Sequence, residues 1–533
     1  MKSLKFFISN NFFSLLLFCF AVLICQFAGN RGVFPIDSFA HYDSGFRVLK
    51  GEHPFKDYWV VSGPLIDYIQ SLIFSIFGTS WQSYLLNASL FNGILSLSTY
   101  YLLINLGLKK KISFFYSICF AILAYPSSGT PFVDHHSTFL SLLGVYALIL
   151  SINTNKSIYW YLIPFFMLLG FLSKQVPAAY ILFSIIIILF LHLTHQKRKD
   201  CIKILKNLIL SSVSIILLLI IFFKINSIKL DNFIIQYLYY PTTIGEQRYK
   251  FINYDIKNIF LNYKFIYFSL IILFILSFKN LSFKMGYYKD KNFKIFFISL
   301  LLFISLVQHM LITKNQIYIF FLIPIFLGLA HIQLNKFKGP QKKYLSVFLI
   351  ILCIGVTSKY HFRFNIDRKF HELNYVDFTK TIKGQNIDKK LIGLNWITPE
   401  NSRQFDMKFE IELLQNFKEI IKNDDKNKMV ITNYSIFSSI GEKNISGFSR
   451  WYPGDNSAFP IKGNKYYETY KGFIISSLKK KKIKNIYILP DVSEKNLTNY
   501  VNKKCLSKQN LKMKIIKYSL NENCSEFTSI NKS

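Results

Sequence analysis

Acidic residues and cysteines are scarce in this chain of 533 residues. Asp and Glu total 29 against 64 Lys and Arg, so the net charge is +35. Seven Cys are too few for a disulfide framework, and since no two of them are spaced as CxxC, the sequence indicates no structural zinc site. The composition also excludes collagen, coiled coils and disordered chains.

Hydrophobic residues make up 51% of the chain, and the mean hydropathy is +0.28. A soluble nucleic-acid-binding protein gathers its basic residues on one face or tail. Here they lie in short runs between long stretches of Ile, Leu and Phe, which is typical of a polytopic membrane protein. We therefore predict membrane lipids, and no nucleic acid, as partners.

A membrane-spanning helix needs about 20 mostly apolar residues. The sequence predicts about eleven such helices: 12–29, 82–107, 112–126, 137–152, 158–173, 176–194, 207–224, 262–278, 295–312, 317–334 and 344–359. No signal-peptide cleavage site follows the first of these helices, so we expect it to remain in the protein as a membrane anchor. Basic clusters such as Lys109–Lys111 fall in alternate loops, which predicts a cytoplasmic N-terminus. Residues after 360 would then face the periplasm at a bacterial inner membrane.

Residues 361–533 have a different pattern, in which short apolar runs alternate with helix-like stretches. The predicted strands are Leu391–Ile397, Met429–Ile431, Ile486–Leu489 and Met513–Tyr518, and the predicted helices are Phe409–Lys422, Tyr466–Lys482 and Ser493–Lys503. This alternation predicts a soluble α/β domain with a partly parallel sheet. It would follow a transmembrane domain, residues 1–360, whose large first external loop is residues 30–80. Cys505 and Cys524 could pair on the oxidising side or stay as free thiols.

The few acids of residues 1–360 fall mostly on one side of the predicted membrane. Of the eleven, Asp200 and Asp290 lie in inside loops and the other nine lie outside. Five of the nine are in the first external loop: Asp37, Asp43, Glu52, Asp57 and Asp67. Carboxylates near a low-dielectric boundary can have shifted pKa values, so we expect any acid–base chemistry on the outer face.

The first external loop carries a recognisable order of motifs. Asp37 and His41 come first, followed by VLxGxxPFxDY over residues 48–58 and then GPLxxY over residues 63–68. This order resembles the first external loop of the GT-C glycosyltransferases, in the protein mannosyltransferase and aminoarabinose transferase branch (family 39-like). Those enzymes often have Asp-Glu where this chain has Asp37-Ser38, so only Asp37 matches an acid there.

Three later segments extend the resemblance. Pro131–His136 carries Asp134 before the fourth predicted span, as the family's second external loop often does. Gly170–Gln175 is similar to the family's L-(S/T)-K segment, and Gln308–Tyr318 lies where these enzymes often place a basic, aromatic turn. The match is good over residues 1–195 and rests on topology alone from there to residue 360.

The resemblance implies a GT-C-like fold and transfer of a sugar from a polyprenyl-phosphate donor to a lipid, glycan or protein acceptor. An inverting transfer needs one carboxylate as general base. Asp37 is the first choice, and Asp134 is the second catalytic candidate, as an acceptor orienter or metal ligand. Either could instead cap its helix. No cofactor is predicted, and a divalent metal ion is not indicated.

The departing phosphate needs cations. The outside basic residues nominated for it are Lys174, Lys314, Arg248 and Arg47. Lys174 could instead extend toward the interface. The candidates for binding substrate are His41, Asp43, Asp57, Tyr58 and Tyr318, although Asp43 and Asp57 could simply stabilise the loop. His135 and His136 fit interfacial side chains better than metal ligands.

Other functions fit the same hydropathy. A transporter or lipid flippase would concentrate ionisable residues at the bilayer midplane and often show internal repeats. Nearly all predicted spans lack charges in the middle and no repeat is visible, which disfavours ion-coupled transport. A ligase or polymerase acting on lipid-linked glycans, or a membrane scaffold whose outer domain binds a partner, also stays open.

Overall fold

The computed structural model describes residues 2–281, 290–313, 318–399, 406–521 and 524. The chain forms two compact units. The first comprises residues 1–31, 85–221 and 248–374, and the second comprises residues 32–84, 222–247 and 375–533.

The first unit is built of helices. They are α1 (Lys2–Gly29), α5 (Trp81–Asn105, whose first four residues belong to the second unit), α6 (Lys110–Leu123), α7 (Val133–Thr154), α8 (Ser157–Ser173), α9 (Gln175–Leu193), α10 (Arg198–Ile225, whose last four residues belong to the second unit), α13 (Ile256–Ile259), α14 (Lys264–Lys279), α15 (Lys291–Ile312), α16 (Leu322–Leu334) and α17 (Gln341–His361). Every residue of α16 is buried, which explains why this helix is apolar on all sides. By contrast, α10 exposes large apolar side chains such as Ile216 and Leu218, as a lipid-facing helix does.

Helices lie at all eleven positions predicted to span the membrane. Seven helical stretches within the described residues are long and apolar enough to cross: Asn11–Gly29, Val133–Thr154, Gln175–Leu193, Arg198–Ile225, Ile256–Lys279, Lys291–Ile312 and Gln341–His371. Three shorter apolar helices are Pro64–Phe77, Ser157–Ser173 and Ile319–Leu334. The chain is thus mostly helical with several membrane-spanning candidates, and the count of eleven stays a prediction.

The second unit combines helices with two small sheets. Its helices are α2 (Pro35–Ser38), α3 (Ala40–Leu49), α4 (Pro64–Phe77), α11 (Leu230–Phe233), α12 (Tyr240–Tyr249, whose last two residues belong to the first unit), α18 (Met407–Lys422), α19 (Phe437–Ile440), α20 (Tyr467–Lys480) and α21 (Lys495–Thr498). Its strands are β1 (Ile382–Lys383), β2 (Asn395–Trp396), β3 (Lys428–Ile431), β4 (Asn485–Ile488), β5 (Leu506–Asn510) and β6 (Ile516–Leu520).

The larger sheet has the order β3-β4-β6-β5. Strands β3 and β4 are parallel, with Lys428 opposite Asn485, and the other two pairings are antiparallel. The predicted partly parallel sheet is therefore present. Strand β5 was not predicted because its residues are polar and mostly exposed, and the predicted helix 493–503 shortens to α21. Cys505 and Cys524 form a disulfide.

The first loop belongs to the same compact unit as the C-terminal segment. The backbone N–H of Trp59 donates to the carbonyl of Phe448 over 2.8 Å, and the Trp59 ring lies 5.1 Å from that of Tyr470. Tyr240 joins the same core. The units therefore divide the chain differently from a boundary after residue 360. Whether residues 361–533 form a soluble domain of their own stays a prediction.

Candidate functional site

Asp134 lies in the first turn of α7 and binds two basic side chains. The residue that caps this helix is Phe132, so Asp134 is not the cap. Lys174 Nζ lies 2.8 Å from both of its carboxylate oxygens, and His309 Nε2 lies 2.5 Å from Oδ1. Only 1% of the Asp134 side chain is exposed. Residues from three helical regions therefore meet at one buried carboxylate.

The turn that precedes α7 is held by residues beyond α17. Arg368 donates to the carbonyls of Pro126 and Ser128 over 2.8 and 2.6 Å, and His371 Nε2 lies 2.8 Å from the same Ser128 oxygen. Gly129, with φ +72°, approaches Gly29 so closely that an added Cβ would lie 2.6 Å from the Gly29 nitrogen. These contacts fix where α7 begins, and with it the position of Asp134.

Lys174 stands between α8 and α9 in extended conformation, with φ −162° and ψ 139°. Its carbonyl accepts a hydrogen bond from Ser137 Oγ over 2.9 Å, which anchors the backbone to α7. The side chain is 16% exposed. The LSK segment therefore delivers a lysine to the Asp134 carboxylate while leaving part of its side chain accessible.

Tyr318 packs against the same place. Its hydroxyl donates to the backbone carbonyl of Asp134 over 3.2 Å and lies 2.6 Å from Thr138 Oγ1, and its ring stacks on His135 with 4.2 Å between centroids. We call Asp134, Lys174, His309 and Tyr318 the Asp134 cluster. His135 therefore packs inside the protein.

Arg248 adds positive charge near this cluster. It lies in the last turn of α12, it is half-buried, and its charge acts on His309, as does the charge of Lys174. Lys314, also predicted to bind phosphate, lies outside the described residues. Lys174 and Arg248 together outweigh the single carboxylate, so the cluster favours an anion.

Asp37 lies in the second unit, in the short helix α2. Phe34 is the N-cap residue, and its backbone N–H donates to Ser38 Oγ over 3.0 Å. Asp37 is therefore not the cap residue of this helix, and its side chain is half-buried. This placement leaves its predicted catalytic role untested.

Asp67 in α4 is the centre of a second buried group, which we call the Asp67 cluster. Its carboxylate accepts hydrogen bonds from Ser44 Oγ over 2.6 Å and Tyr58 OH over 2.7 Å, and it also contacts Arg450. His41 Nδ1 lies 2.9 Å from the same carboxylate. Burial, and then the charge of Arg450, lowers the pKa of His41 to about 4. Four donors around one buried acid indicate a rigid centre.

Arg47 is fully buried beside the Asp67 cluster. Its Nε donates to Glu52 over 2.8 Å, its NH1 donates to the Gly447 carbonyl over 2.9 Å, and its guanidinium lies 4.1 Å from the Tyr58 ring centre. Burial alone would raise the pKa of Glu52, but Arg47 and Lys481 outweigh burial and lower it to about 2. These partners support a structural role for Arg47 in the loop.

Asp43 and Asp57 also hold the first loop against the C-terminal segment. Asp43 accepts from Ser446 Oγ over 2.5 Å, and Asp57 Oδ1 accepts from Lys480 Nζ over 2.6 Å. Burial raises the pKa of Asp43 to about 6, although the positive charge of Arg47 opposes this. Substrate binding by His41, Asp43, Asp57 and Tyr58 stays a prediction.

Three central residues were not among the predicted site residues: His309, Asp67 and Arg450. Each lies in a segment that stood out in the sequence, but the partners are far away along the chain. Asp67 and Arg450 are separated by 383 residues, and Asp134 and His309 by 175. Within the described ranges, no group of three His, Cys, Asp or Glu side chains is placed to hold a metal ion.

Comparison with known proteins finds a family match for part of the chain. Residues 53–223 match the family described as dolichyl-phosphate-mannose-protein mannosyltransferase. The search of curated proteins found no match. The matched region includes Asp134 and Lys174 but begins after Asp37. The resemblance to the GT-C membrane glycosyltransferases is thus confirmed over residues 53–223.

Proposed function

We propose, from the mannosyltransferase match, that this membrane glycosyltransferase moves a sugar from a polyprenyl-phosphate donor to a lipid, glycan or protein acceptor. The reaction would take place at the periplasmic face of a bacterial inner membrane. The observation that carries the proposal is the Asp134 cluster, where Lys174 is held in place by a buried carboxylate and is still partly exposed.

The cluster suits the phosphate of such a donor. When the sugar leaves, the bond between its C1 atom and a phosphate oxygen breaks, and the electron pair stays on the phosphate. Cations held in place before the reaction stabilise this charge. Lys174, positioned by Asp134, and the half-buried Arg248 would supply them. In this role Asp134 orients a cation and is a poor base, because both of its oxygens are engaged by Lys174.

Asp37 is the proposed general base. An inverting transfer requires a carboxylate that takes the proton of the acceptor hydroxyl as the new bond to C1 forms. Asp37 is half-buried and does not cap its helix. It is also the acid that matches the Asp-Glu position of the similar enzymes.

A lipid flippase or transporter is the second candidate. Ionisable residues inside membrane helices often mark transport paths. Asp134 and His309 are buried in α7 and α15, both of which are apolar enough to span. This observation favours the alternative enough to include it in the test.

The test uses the full-length protein in liposomes with a radiolabelled polyprenyl-phosphate sugar and crude bacterial membranes as the acceptor source. Wild type is compared with Asp37→Asn and with a control, Asp231→Asn, which changes an exposed acid of the same unit. We expect transfer by wild type and the control, and a loss of about 100-fold or more in Asp37→Asn.

Undiminished transfer by Asp37→Asn would remove Asp37 from the mechanism. If no labelled donor supports transfer but labelled lipid moves between the leaflets of the liposome, the protein is a flippase, and the proposal of a glycosyltransferase is wrong.

A further inference from the structure

His309 uses only one of its two ring nitrogens within the described residues. Nε2 contacts Asp134, whereas Nδ1 is buried and makes no hydrogen bond to any described group. Buried polar atoms in folded proteins nearly always have a partner, so an exception in a site needs an explanation. The side chain itself is fully buried, which rules out bulk water as the partner.

The partner on Nε2 determines what Nδ1 can do. A carboxylate accepts hydrogen bonds and donates none, so Nε2 carries the hydrogen that faces Asp134. Nδ1 of the neutral ring is then a lone pair, and it becomes a donor when the ring is protonated. Lys174 binds both Asp134 oxygens, so the carboxylate cannot turn away and the imidazole keeps its orientation.

The charged groups around the ring are of mixed sign. Asp134 is negative, and Lys174 and Arg248 are positive. Because Lys174 is paired with Asp134, its charge is largely compensated. An anion that arrives at this place therefore finds Arg248 and one buried imidazole with an unused nitrogen.

We propose that Nδ1 of His309 binds the phosphate of the polyprenyl carrier, with Asp134 as the positioning residue behind it. This inference rests on the proposed function, since it assigns a further contact to the same donor. It gives His309 a direct contact with substrate, which the sequence did not indicate.

The contact fits the balance of the reaction. The donor phosphodiester carries one negative charge. As its bond to C1 breaks, the electron pair stays on the phosphate, while C1 bonds to the acceptor oxygen and the hydroxyl proton passes to Asp37. The phosphate that remains gains a second negative charge. The negative charge of the bound donor favours the imidazolium form of His309, which takes up one proton from the solvent as the donor binds. This ring donates through Nδ1 to the phosphate and through Nε2 to Asp134, so one ring bridges two anions.

Two amide substitutions separate the two nitrogens. His309→Asn places an amide near the Nδ1 position, and His309→Gln places one near the Nε2 position. If His309 only supports Asp134, the Gln variant will behave like wild type and the Asn variant will not. If Nδ1 binds phosphate, the Asn variant will behave more like wild type than the Gln variant.

Native mass spectrometry measures how tightly the full-length protein in detergent binds undecaprenyl phosphate. Undecaprenol, which lacks the phosphate, is the comparison ligand. We expect His309→Gln to bind undecaprenyl phosphate about ten-fold more weakly than wild type, the loss typical of one hydrogen bond to a charged group. We expect His309→Asn to retain more binding than His309→Gln. A control, His331→Gln, changes another buried histidine of the same unit that pairs with Tyr116, and should bind as wild type does.

Several results would overturn the inference. The first is that His309→Gln binds undecaprenyl phosphate as tightly as wild type does. The second is that His309→Asn and His309→Gln lose the same affinity for undecaprenyl phosphate. The third is that His309→Gln weakens undecaprenol binding as much as undecaprenyl phosphate binding. A wild-type protein that binds undecaprenyl phosphate no better than undecaprenol contradicts the proposed function itself. Thermal unfolding of each variant shows that the compared proteins are folded.

Discussion

Lys174 Nζ lies 2.8 Å from both carboxylate oxygens of Asp134, although 40 residues separate them along the chain. Asp134 lies in the first turn of α7, and Lys174 joins α8 to α9. The sequence suggested two separate roles, one for an acid and one for a phosphate-binding cation. In the structure they are one ion pair, so each residue sets the charge and position of the other.

The pair makes a prediction for stability. Lys174→Met leaves a buried carboxylate with His309 as its remaining basic neighbour, and breaking a buried ion pair costs about 3 kcal/mol. The double variant Asp134→Asn/Lys174→Met removes both charges and should recover most of that loss. Denaturant titration of the protein in detergent measures the free energy of unfolding.

The control is Lys380→Met, which removes one partner of an exposed pair with Asp377 and should leave stability unchanged. If the double variant loses as much stability as Lys174→Met and Asp134→Asn lose together, the pair has no coupling energy.

Arg450 should be essential for the Asp67 cluster. Its guanidinium contacts both the Ser62 carbonyl and the Asp67 carboxylate, and it is 2% exposed. Arg450→Met leaves Asp67 charged and buried, and we expect a loss of about 3–5 kcal/mol in the free energy of unfolding.

The compact ammonium of Arg450→Lys cannot serve both acceptors with the same geometry, so that variant should recover only part of the loss. Lys480→Met is the control, because Lys480 is 60% exposed where it meets Asp57 and should change stability by no more than about 1 kcal/mol. Equal losses in Arg450→Met and Lys480→Met would count against the cluster as a rigid centre.

Asp43 predicts how stability depends on pH. Burial raises its pKa from 3.8 to about 6, so the folded protein binds this proton more tightly than the unfolded chain. The stabilisation is complete below about pH 4 and is lost as the pH rises through 6, a total of about 3 kcal/mol. Asp491, whose pKa burial also raises to about 6, acts in the same direction.

Asp43→Asn should therefore flatten the decline in unfolding temperature between pH 4.5 and pH 7.5, and Asp43→Asn/Asp491→Asn should flatten it further. Asp425→Asn, at an exposed carboxylate, should follow the wild-type curve. If Asp43→Asn follows the wild-type curve too, the Asp43 carboxyl is not titrating in this range.

Gly129 should tolerate no side chain. An added Cβ would lie 2.6 and 2.7 Å from the nitrogen and Cα atoms of Gly29, which are backbone atoms with little room to move. Gly107→Ala is the matched control, since Gly107 also has a positive φ (+96°) but no atom within 4 Å of the added Cβ. We expect Gly129→Ala to cost about 1–3 kcal/mol more than Gly107→Ala in unfolding free energy. If both variants lose the same free energy of unfolding, the loss comes from the positive φ alone and the contact with Gly29 adds nothing.

The sequence predicted the helices at the eleven apolar stretches well, because each is an apolar run bounded by polar residues. The strands β3, β4 and β6 were also recognised, as they contain short runs of Ile, Val and Tyr. Strand β5 was missed, because Ser507 to Asn510 are exposed and carry no apolar pattern.

The site was harder to predict for a physical reason. Local patterns report which residues an element buries, whereas ion pairs depend on which distant elements meet. Asp37 and Asp134 were found because they resemble a family motif. Arg450 was assigned to a packed turn, and its contact with Asp67 has no signature in the residues around either of them.

The contacts between the first loop and the C-terminal segment limit how often the chain crosses the bilayer. Residues 32–84, 222–247 and 375–533 form one compact unit, and we take as a prediction that this unit lies on one side of the membrane. The number of crossings between consecutive segments must then be even. Three of the seven long candidates fall between the first two segments, and three more fall between the last two.

Both counts are odd, so if every long candidate crosses, other helices must cross as well. Between residues 247 and 375 the shorter apolar candidate is Ile319–Leu334, the fully buried helix that follows Tyr318. Between residues 84 and 222 an odd number of α5, α6 and α8 must cross. If the unit lies on one side, parity predicts that Ile319–Leu334 crosses together with an odd number of α5, α6 and α8, although none of these is among the seven long apolar candidates.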